Sequence, residues 1–185
     1  MSYEIIKEGQ IERKNGNIQY ASSSVVLTDY DSICIIDTAA PQNEKEIKQN
    51  LKKLDYSPND IDFVINTHLH FDHKGCNHIF KEAEKTTDQP KDRSKFHKRI
   101  NKDLNQLKII NTPGHTKNHV SVLIKDKETN KNIVVAGDAL PEKTNYLKEK
   151  PPGINIDKEK SMESIQKIIK IADLVIPGHD SPFKV

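Results

Sequence analysis

Residues 67–73 read Thr-His-Leu-His-Phe-Asp-His and follow directly on the apolar segment 62–66, which is predicted to be a short buried strand. Side chains alternate between the two faces of an extended chain, so His68 and His70 are expected on the same side. Asp72 and His73 then come from the turn that precedes the next predicted helix. Three imidazoles and one carboxylate in so short a stretch match the ligands that zinc and related divalent ions prefer. The stretch therefore predicts a metal site at a strand end.

Three more donor side chains occupy equivalent positions further along the chain. His115 follows the predicted strand 107–110, Asp138 follows 133–136, and His179 follows 174–176. Each is preceded by a glycine, which lets the backbone approach its neighbours closely, and a strand end is a rigid place from which to present a ligand. We therefore expect these three side chains to join the same site.

Hydrophobic periodicity predicts an alternation of strands and helices along the chain. Mixed elements in two similar halves are typical of a layered α/β architecture. The predicted strands are residues 18–28, 33–37, 62–66, 107–110, 120–124, 133–136 and 174–176, and the predicted helices are 44–54 and 161–172.

The order HxHxDH, then His, then Asp, then His resembles the signature of the metallo-β-lactamase superfamily. This resemblance implies a four-layer αββα sandwich, formed by residues 1–185 as one domain, with two divalent metal ions at one edge. It implies that Asp37 and His119 support the ligands from behind. Carried over by position, it assigns His68, His70 and His115 to the first ion, Asp72, His73 and His179 to the second, and Asp138 to a bridge between them.

The same resemblance implies a hydrolase that uses a metal-bound hydroxide as its nucleophile. Two ions a few ångströms apart make water reactive near neutral pH and polarise the group under attack. Asp72 is the expected catalytic residue, because it can accept a proton or hydrogen bond from that hydroxide. Zinc is the expected metal, with iron and manganese as alternatives, since imidazole and carboxylate ligands serve all three.

The small chain, and particularly residues 134–138 and the ending at 172–185, is similar to the metallo-β-lactamase domain-containing protein 1 family. That similarity implies an endonuclease acting on RNA or single-stranded DNA as a homodimer, and this is the first functional prediction. The alternative is a glyoxalase II-like thioesterase or a lactonase, with weak β-lactamase activity included, acting on small ester or thioester substrates. A third interpretation is an inactive scaffold that binds metal.

Composition sets wider limits on the protein. The length of 185 residues favours one domain, and the net charge of +2 neither requires nor excludes a nucleic-acid partner. No run approaches the roughly 20 apolar residues that a membrane span needs, and the N-terminus lacks a signal sequence. We therefore expect a cytoplasmic protein with no membrane partner, in which Cys34 and Cys76 are reduced thiols.

Residues 82–105 interrupt the regular pattern with a dense run of charges. The run predicts a mobile loop or a polar surface helix, and a solvated excursion is the favoured interpretation. Its basic side chains are the candidates for contacts with substrate phosphates, and they are Lys91, Arg93, Lys95, Lys98 and Arg99.

Overall fold

The computed structural model of the chain describes residues 3–88 and 93–185. In chain order, the strands are β1 Glu4–Lys7, β2 Gln10–Lys14, β3 Asn17–Ser22, β4 Val25–Asp29, β5 Ile33–Ile36, β6 Phe63–Ile65, β7 Glu84–Lys85, β8 Leu107–Asn111, β9 Val120–Lys125, β10 Asn132–Gly137, β11 Leu174–Pro177 and β12 Phe183–Lys184. The helices are α1 Glu44–Lys53, α2 Phe71–Lys74, α3 Arg93–Asp103, α4 Lys143–Leu147 and α5 Lys158–Ile171.

Most of the strands belong to two mixed sheets. The first has the order β1-β4-β5-β6-β7, and β6 lies parallel to both of its neighbours. The second has the order β12-β11-β10-β9-β8, in which β10 and β11 form the parallel pair. Strands β2 and β3 stand apart as a two-stranded hairpin. The strand ends that carry the predicted ligands thus come from both sheets.

Alternating side chains on β4 and β5 show how the layers form. Val26 and Ile36 pack into the core between the two sheets, where β9, β10 and β11 contribute from the opposite side. Val25, Leu27 and Ile35 face the other way and pack against α1. Because both faces of these strands are covered, residues 25–27 and 33–36 are apolar at successive positions rather than at every second one.

The second sheet is covered in the same manner on its outer face. Val134 and Val175 pack there against Ile165 and Ile168 of α5. Helix α5 begins at the N-cap Asp157, whose carboxylate accepts a hydrogen bond from the Lys160 backbone amide at 3.0 Å. The layer order is therefore helix, sheet, sheet, helix, and the predicted αββα sandwich is confirmed.

The predicted strand 18–28 is wrong in its continuity, since the structure has two strands there. The chain leaves β3 at Ser22 and enters β4 at Val25. The amides of Ser23 and Ser24 between them donate to the carbonyls of Asp72 and Gly178, each at 2.9 Å. Hydrogen bonds to the loops at the ligand edge thus separate the two strands, and β3 is free to pair with β2.

The charged run at 82–105 contains more structure than a loop. It includes β7 and the helix α3, whose Phe96 and Ile100 are buried in the core between the sheets. Residues spaced four apart share one helix face, so the apolar stripe lies beneath a charged surface. Among the described residues, none of the helices has the length and apolar character needed to cross a bilayer.

Candidate metal centre

The seven predicted ligands meet at one edge of the sandwich. His68, His70, Asp72 and His73 follow β6, while His115, Asp138 and His179 follow strands of the second sheet. Among the described residues, these seven form overlapping groups of three, and within each group the potential ligand atoms lie within 4.8 Å of one another. Sequence positions more than 100 residues apart are therefore brought together by strand ends that share an edge.

We call His68, His70 and His115 the histidine triad. The Nε2 atoms of His68 and His115 lie 3.2 Å apart, and each is 3.0 Å from Nδ1 of His70. These distances are close to the edge of about 3.3 Å expected between nitrogen ligands that lie roughly 2.0 Å from one tetrahedral zinc ion. The three nitrogens thus form a face onto which one divalent ion fits.

We call Asp72, His73, Asp138 and His179 the acidic cluster. Asp138 Oδ1 lies 3.2 Å from His73 Nε2 and 3.1 Å from His179 Nε2, and Asp72 Oδ2 lies 3.5 Å from His179 Nε2. The second oxygen of Asp138, Oδ2, lies 3.5 Å from His115 Nε2 of the triad. One carboxylate therefore faces both groups of ligands.

Two atoms in the centre indicate that the donors suit a cation. His73 Nε2 and Asp138 Oδ1 are buried, and neither has a hydrogen-bond partner. Buried polar atoms are nearly always satisfied, so an unsatisfied pair at van der Waals distance needs a physical cause. A divalent ion between these atoms would satisfy both, and the nitrogen and oxygen donors fit zinc, iron or manganese.

Three of the histidines donate a hydrogen bond through Nδ1, which leaves Nε2 facing the centre. His73 Nδ1 donates to Asp37 Oδ2 at 2.8 Å, His115 Nδ1 to the Ile154 carbonyl at 2.7 Å, and His179 Nδ1 to the Ser22 carbonyl at 3.1 Å. A proton held on Nδ1 leaves Nε2 with a free lone pair and fixes the plane of the ring. These three contacts would hold the imidazoles in place as metal ligands, and that role stays a prediction.

Asp37 holds a strained position to make its contact with His73. Its φ angle of 55° is uncommon for a residue other than glycine. The carboxylate accepts from the Thr67 amide through Oδ1 and from the Thr67 hydroxyl through Oδ2, each at 2.8 Å. Asp37 thereby links the end of β5 to the first residue of the ligand stretch, and its role in supporting a metal site stays a prediction.

Electrostatics differ between the two groups. Burial, assisted by the other histidines, holds the pKa of His68 well below its ordinary value, and burial likewise lowers the pKa of His70. Burial acts in the same direction on His73 and His179, but carboxylates outweigh it and raise both pKa values. Asp37 and Asp138 raise the pKa of His73, and Asp138 and Asp72 raise that of His179. These shifts favour neutral imidazoles at His68 and His70, while the carboxylates of the acidic cluster favour the charged forms of His73 and His179.

His119 lies behind the triad rather than in it. Its Nδ1 is 3.0 Å from the Thr112 hydroxyl, and its ring centroid is 5.0 Å from that of His68. Burial lowers the pKa of His119 to about 3, so the ring is neutral at pH 7. It belongs to none of the ligand groups found among the described residues, and a supporting role for it stays a prediction.

Glycine is required where the loops approach the ligands. A Cβ atom on Gly178 would lie 2.3 Å from Asp138 Oδ1, and one on Gly137 would lie 2.5 Å from the Thr67 hydroxyl oxygen. Gly137 also has a φ angle of 53°, which glycine adopts without strain. Gly75 serves the same purpose: a Cβ there would lie 2.5 Å from Pro41, so close packing rather than loop flexibility accounts for it.

A cavity of about 580 Å³ opens on the centre. The β2–β3 hairpin forms one wall, and residues 141–145 and 152–154 form the other. Arg13 and Glu142 face each other from these two walls and form a bidentate ion pair. Apolar atoms dominate the walls outside the ligands, contributed by Ile11, Ile18, Ala21, Pro141, Pro152 and Ile154.

Sequence reasoning did not find these wall residues. Arg13 and Glu142 are 129 positions apart, and nothing in either local pattern marks them for contact. Ile18 and Ile154 remain 44% and 61% exposed in the folded chain, so they are not part of the core. The walls depend on how distant segments meet, and a single sequence does not show that.

The basic residues predicted to contact phosphates lie elsewhere. None of the described members of that set, Arg93, Lys95, Lys98 and Arg99, lines the cavity. Arg99 forms an ion pair with Glu84 and lies over the Phe63 ring, 5.6 Å from its centroid. Lys91 falls outside the described residues. Their role in phosphate binding stays a prediction.

Comparison with known proteins agrees with this geometry. Residues 18–89 match the family model described as the metallo-beta-lactamase superfamily. A Methanocaldococcus jannaschii protein named "probable metallo-hydrolase" is 42% identical over 95% of this chain and 85% of its own length. Metallo-beta-lactamase domain-containing protein 1 of Xenopus laevis is 29% identical over 100% of this chain and 82% of its own.

A third relative has a named substrate class. An N-acyl homoserine lactonase from a Bacillus species is 28% identical over 74% of this chain and 63% of its own length. The identity of 42% across most of the archaeal relative, the matching family model and the αββα fold lead to one conclusion. The chain belongs to the metallo-beta-lactamase superfamily and is a metallo-hydrolase.

Proposed function

We propose that the chain hydrolyses small, largely uncharged carboxylic esters, lactones or thioesters at a pair of divalent metal ions. The histidine triad would hold the first ion, Asp72, His73 and His179 the second, and Asp138 both. Zinc is the metal that we propose, with iron or manganese as alternatives. The observation that carries the substrate class is the cavity, whose apolar walls lead directly to these ligands.

When bound, the two ions would polarise the substrate carbonyl and lower the pKa of water to about 7. The chain itself supplies the base and the shape of the site. Asp72 lines the cavity with its carboxylate partly exposed, so it can accept a proton from the attacking water. Asp37 and the Ile154 and Ser22 carbonyls keep the imidazoles in position throughout.

The size and lining of the cavity favour a small substrate. Pockets of roughly 300–1,000 Å³ with apolar walls and a few polar groups are typical of small-molecule sites. Ile11, Ile18 and Ile154 can cover the non-reacting part of an acyl substrate, while the metal ligands lie at the base. The lactonase relative supports this class, since its name describes hydrolysis of an acylated lactone.

Endonuclease activity is the second candidate, and it ranked first on the sequence alone. It is favoured by the full-length similarity to metallo-beta-lactamase domain-containing protein 1. Phosphodiester substrates need cations along the backbone path. Apart from histidines, the described lining of the cavity offers Arg13 as its one basic side chain, and Glu142 already pairs with it. We therefore place small carbonyl substrates ahead of nucleic acid.

The test is a substrate panel on protein whose metal content has been measured. The panel contains an N-acyl homoserine lactone, a 4-nitrophenyl ester, S-lactoylglutathione and a fluorogenic single-stranded RNA. Turnover of at least one of the first three, with the RNA left intact, is the expected result. RNA cleavage without turnover of small substrates would instead establish the endonuclease. Two bound metal equivalents with no turnover of any substrate would favour the inactive scaffold.

A further inference from the structure

Arg13 and Glu142 close one side of the cavity mouth by pairing across it. Arg13 Nη1 lies 2.9 Å from Glu142 Oε2, and Nη2 contacts Oε1, so the guanidinium and carboxylate meet edge to edge. Arg13 belongs to the hairpin strand β2, whose pairing register shifts between Glu12 and Arg13. Such irregularities commonly redirect a side chain. Glu142 is the N-cap residue of α4 and is held there by a capping box.

The pair has an electrostatic consequence for anything that enters the cavity. Of the described lining residues, Arg13 is the one permanent cation, while Asp72, Asp138 and Glu142 are carboxylates. The donors of the guanidinium that would grip an anion are the ones that Glu142 occupies. The described part of the cavity lining thus presents no unpaired cation to the non-reacting end of a substrate.

An exposed pair of this kind contributes little to stability. The Arg13 side chain is 43% exposed and that of Glu142 is 20% exposed, and ion pairs in such positions are weak. Stabilisation of the fold alone therefore does not explain the ion pair. Placed beside an apolar wall at the entrance of the site, the two charges have a larger effect on which ligands bind than on whether the protein folds.

We infer that the Arg13–Glu142 pair determines the charge selectivity of the cavity. While Glu142 occupies Arg13, the site takes substrates whose non-reacting end is neutral, and removing the Glu142 charge turns Arg13 into a subsite for a carboxylate. The inference rests on the proposed function, because it specifies which small carbonyl substrates enter. Glu142 is the specificity-determining residue, and Arg13 is the group that it masks.

A matched pair of ligands isolates the charge of the distal end. Hexanoate and adipate have the same chain length and the same carboxylate for the metal ions, but adipate ends in a second carboxylate instead of a methyl group. Calorimetric titration of the metal-loaded protein gives the ratio of the two dissociation constants. Because a freed bidentate guanidinium binds carboxylate strongly, Glu142→Gln is expected to shift this ratio in favour of adipate by about five- to tenfold.

Companion variants separate charge from structure. Arg13→Gln leaves Glu142 unpaired and is expected to shift the ratio about threefold against adipate, by like-charge repulsion. The double variant is neutral again and should return the ratio to within about twofold of the original protein. Glu44→Gln is the matched control: Glu44 is also ion-paired, to Lys48, but it lines no part of this cavity.

The outcome is independent of turnover, and a kinetic arm then tests the proposed function. The kcat/KM ratio for the 4-nitrophenyl monoesters of hexanoate and adipate should shift in the same directions. Equal changes for both ligands in every variant would overturn the inference and leave a purely structural pair. If the binding ratio shifts but neither ester is hydrolysed, charge selectivity stands and the proposed ester substrate fails.

Discussion

The histidine triad and the acidic cluster lie side by side, yet two histidines of the triad and the two of the acidic cluster have pKa values shifted in opposite directions. Burial lowers the pKa values of His68 and His70, so these two members of the triad offer neutral nitrogens. Burial acts likewise on His73 and His179, but carboxylates overcome it and raise their pKa values. An ion in the acidic cluster would therefore depend on the carboxylates, whereas an ion in the triad would depend on the geometry of three rings.

Asp138→Asn tests the residue that joins the two groups, and it has the largest expected effect. The carboxylate faces His73 and His179 with one oxygen and His115 with the other, so in the proposed arrangement its charge would act on both ions. We expect kcat/KM to fall by at least about 10³-fold. This loss is larger than the roughly 10–100-fold that is typical when a residue hydrogen-bonded to a metal ligand is replaced. Bound metal, measured by mass spectrometry, should fall below two equivalents.

Asp180→Asn provides the control for this substitution. Asp180 neighbours His179, but its oxygens accept hydrogen bonds from the backbone amides of Lys143 and Ser181 and do not face the ligands. Its metal content should stay at two equivalents. If Asp138→Asn kept both ions and full activity, the carboxylate could not be the shared ligand, and the proposed arrangement would be wrong.

Gly178→Ala should damage the acidic cluster while sparing the triad. The new Cβ would lie 2.3 Å from Asp138 Oδ1, the oxygen that faces His73 and His179. Displacing this ligand by about 1 Å is expected to lower kcat/KM by roughly 100-fold, since misplacement of that size has such effects. Metal titration should show one weakened ion and one retained.

Gly153→Ala is the matched substitution elsewhere in the same cavity. Gly153 also lines the cavity, but a Cβ there has nothing within 4 Å. We expect metal content and activity within about twofold of the original protein, because no group must move. Equal losses of activity in Gly178→Ala and Gly153→Ala would show that neither loop tolerates a side chain. The loss in Gly178→Ala could then not be assigned to displacement of Asp138.

Asp37→Asn tests whether the Asp37 carboxylate, which contacts His73, affects the binding of the second ion alone. Asp37 touches His73 but none of the triad histidines by hydrogen bond, so the affinity for one ion should weaken by about 10–100-fold. Competition with a chelator measures the two affinities separately. Asp62→Asn is the control, because Asp62 likewise caps a backbone amide of this sheet, that of Ile33, away from the ligands. Equal weakening of both ions would contradict the comparison.

The ligand edge could be predicted because its signals are local. His68 to His73 lie within six consecutive positions, and His115, Asp138 and His179 each follow an apolar strand and a glycine. The superfamily and the layer order followed from this pattern, although the assignment of each side chain to a metal ion stays a prediction. Asp37 came from resemblance alone, because an aspartate at the end of a strand is by itself no sign of a metal site.

The rest could not be predicted because its signals are long-range or concealed. Phe96 and Ile100 form a buried stripe within one of the most charged segments of the chain, so charge hid a core helix. The β2–β3 hairpin carries few apolar residues and obtains its place through contacts with distant loops. Arg13 finds Glu142 only once the chain has folded, since 129 positions separate them.

Ile154→Ala has the smallest expected effect, and it separates the wall of the cavity from the ligands. The Ile154 carbonyl accepts the His115 Nδ1 hydrogen bond, and the substitution keeps this backbone group while shortening a side chain that lines the cavity. Metal affinity in the triad should therefore stay unchanged. Hydrolysis of a hexanoyl ester should lose about threefold in kcat/KM through a higher KM, because the lost methyl groups cover part of the acyl chain.

Ile154 thus contacts both the triad and the cavity. Its backbone carbonyl holds His115, and its side chain forms part of the cavity wall. Acetyl and hexanoyl esters compared in the same variant distinguish the two contributions, since an acetyl group is too short to use the wall. A loss for the hexanoyl ester alone supports apolar recognition by Ile154. An equal loss for both esters, with weaker metal binding, would mean that the Ile154 side chain helps to position His115. The backbone hydrogen bond would then not be sufficient to support the triad.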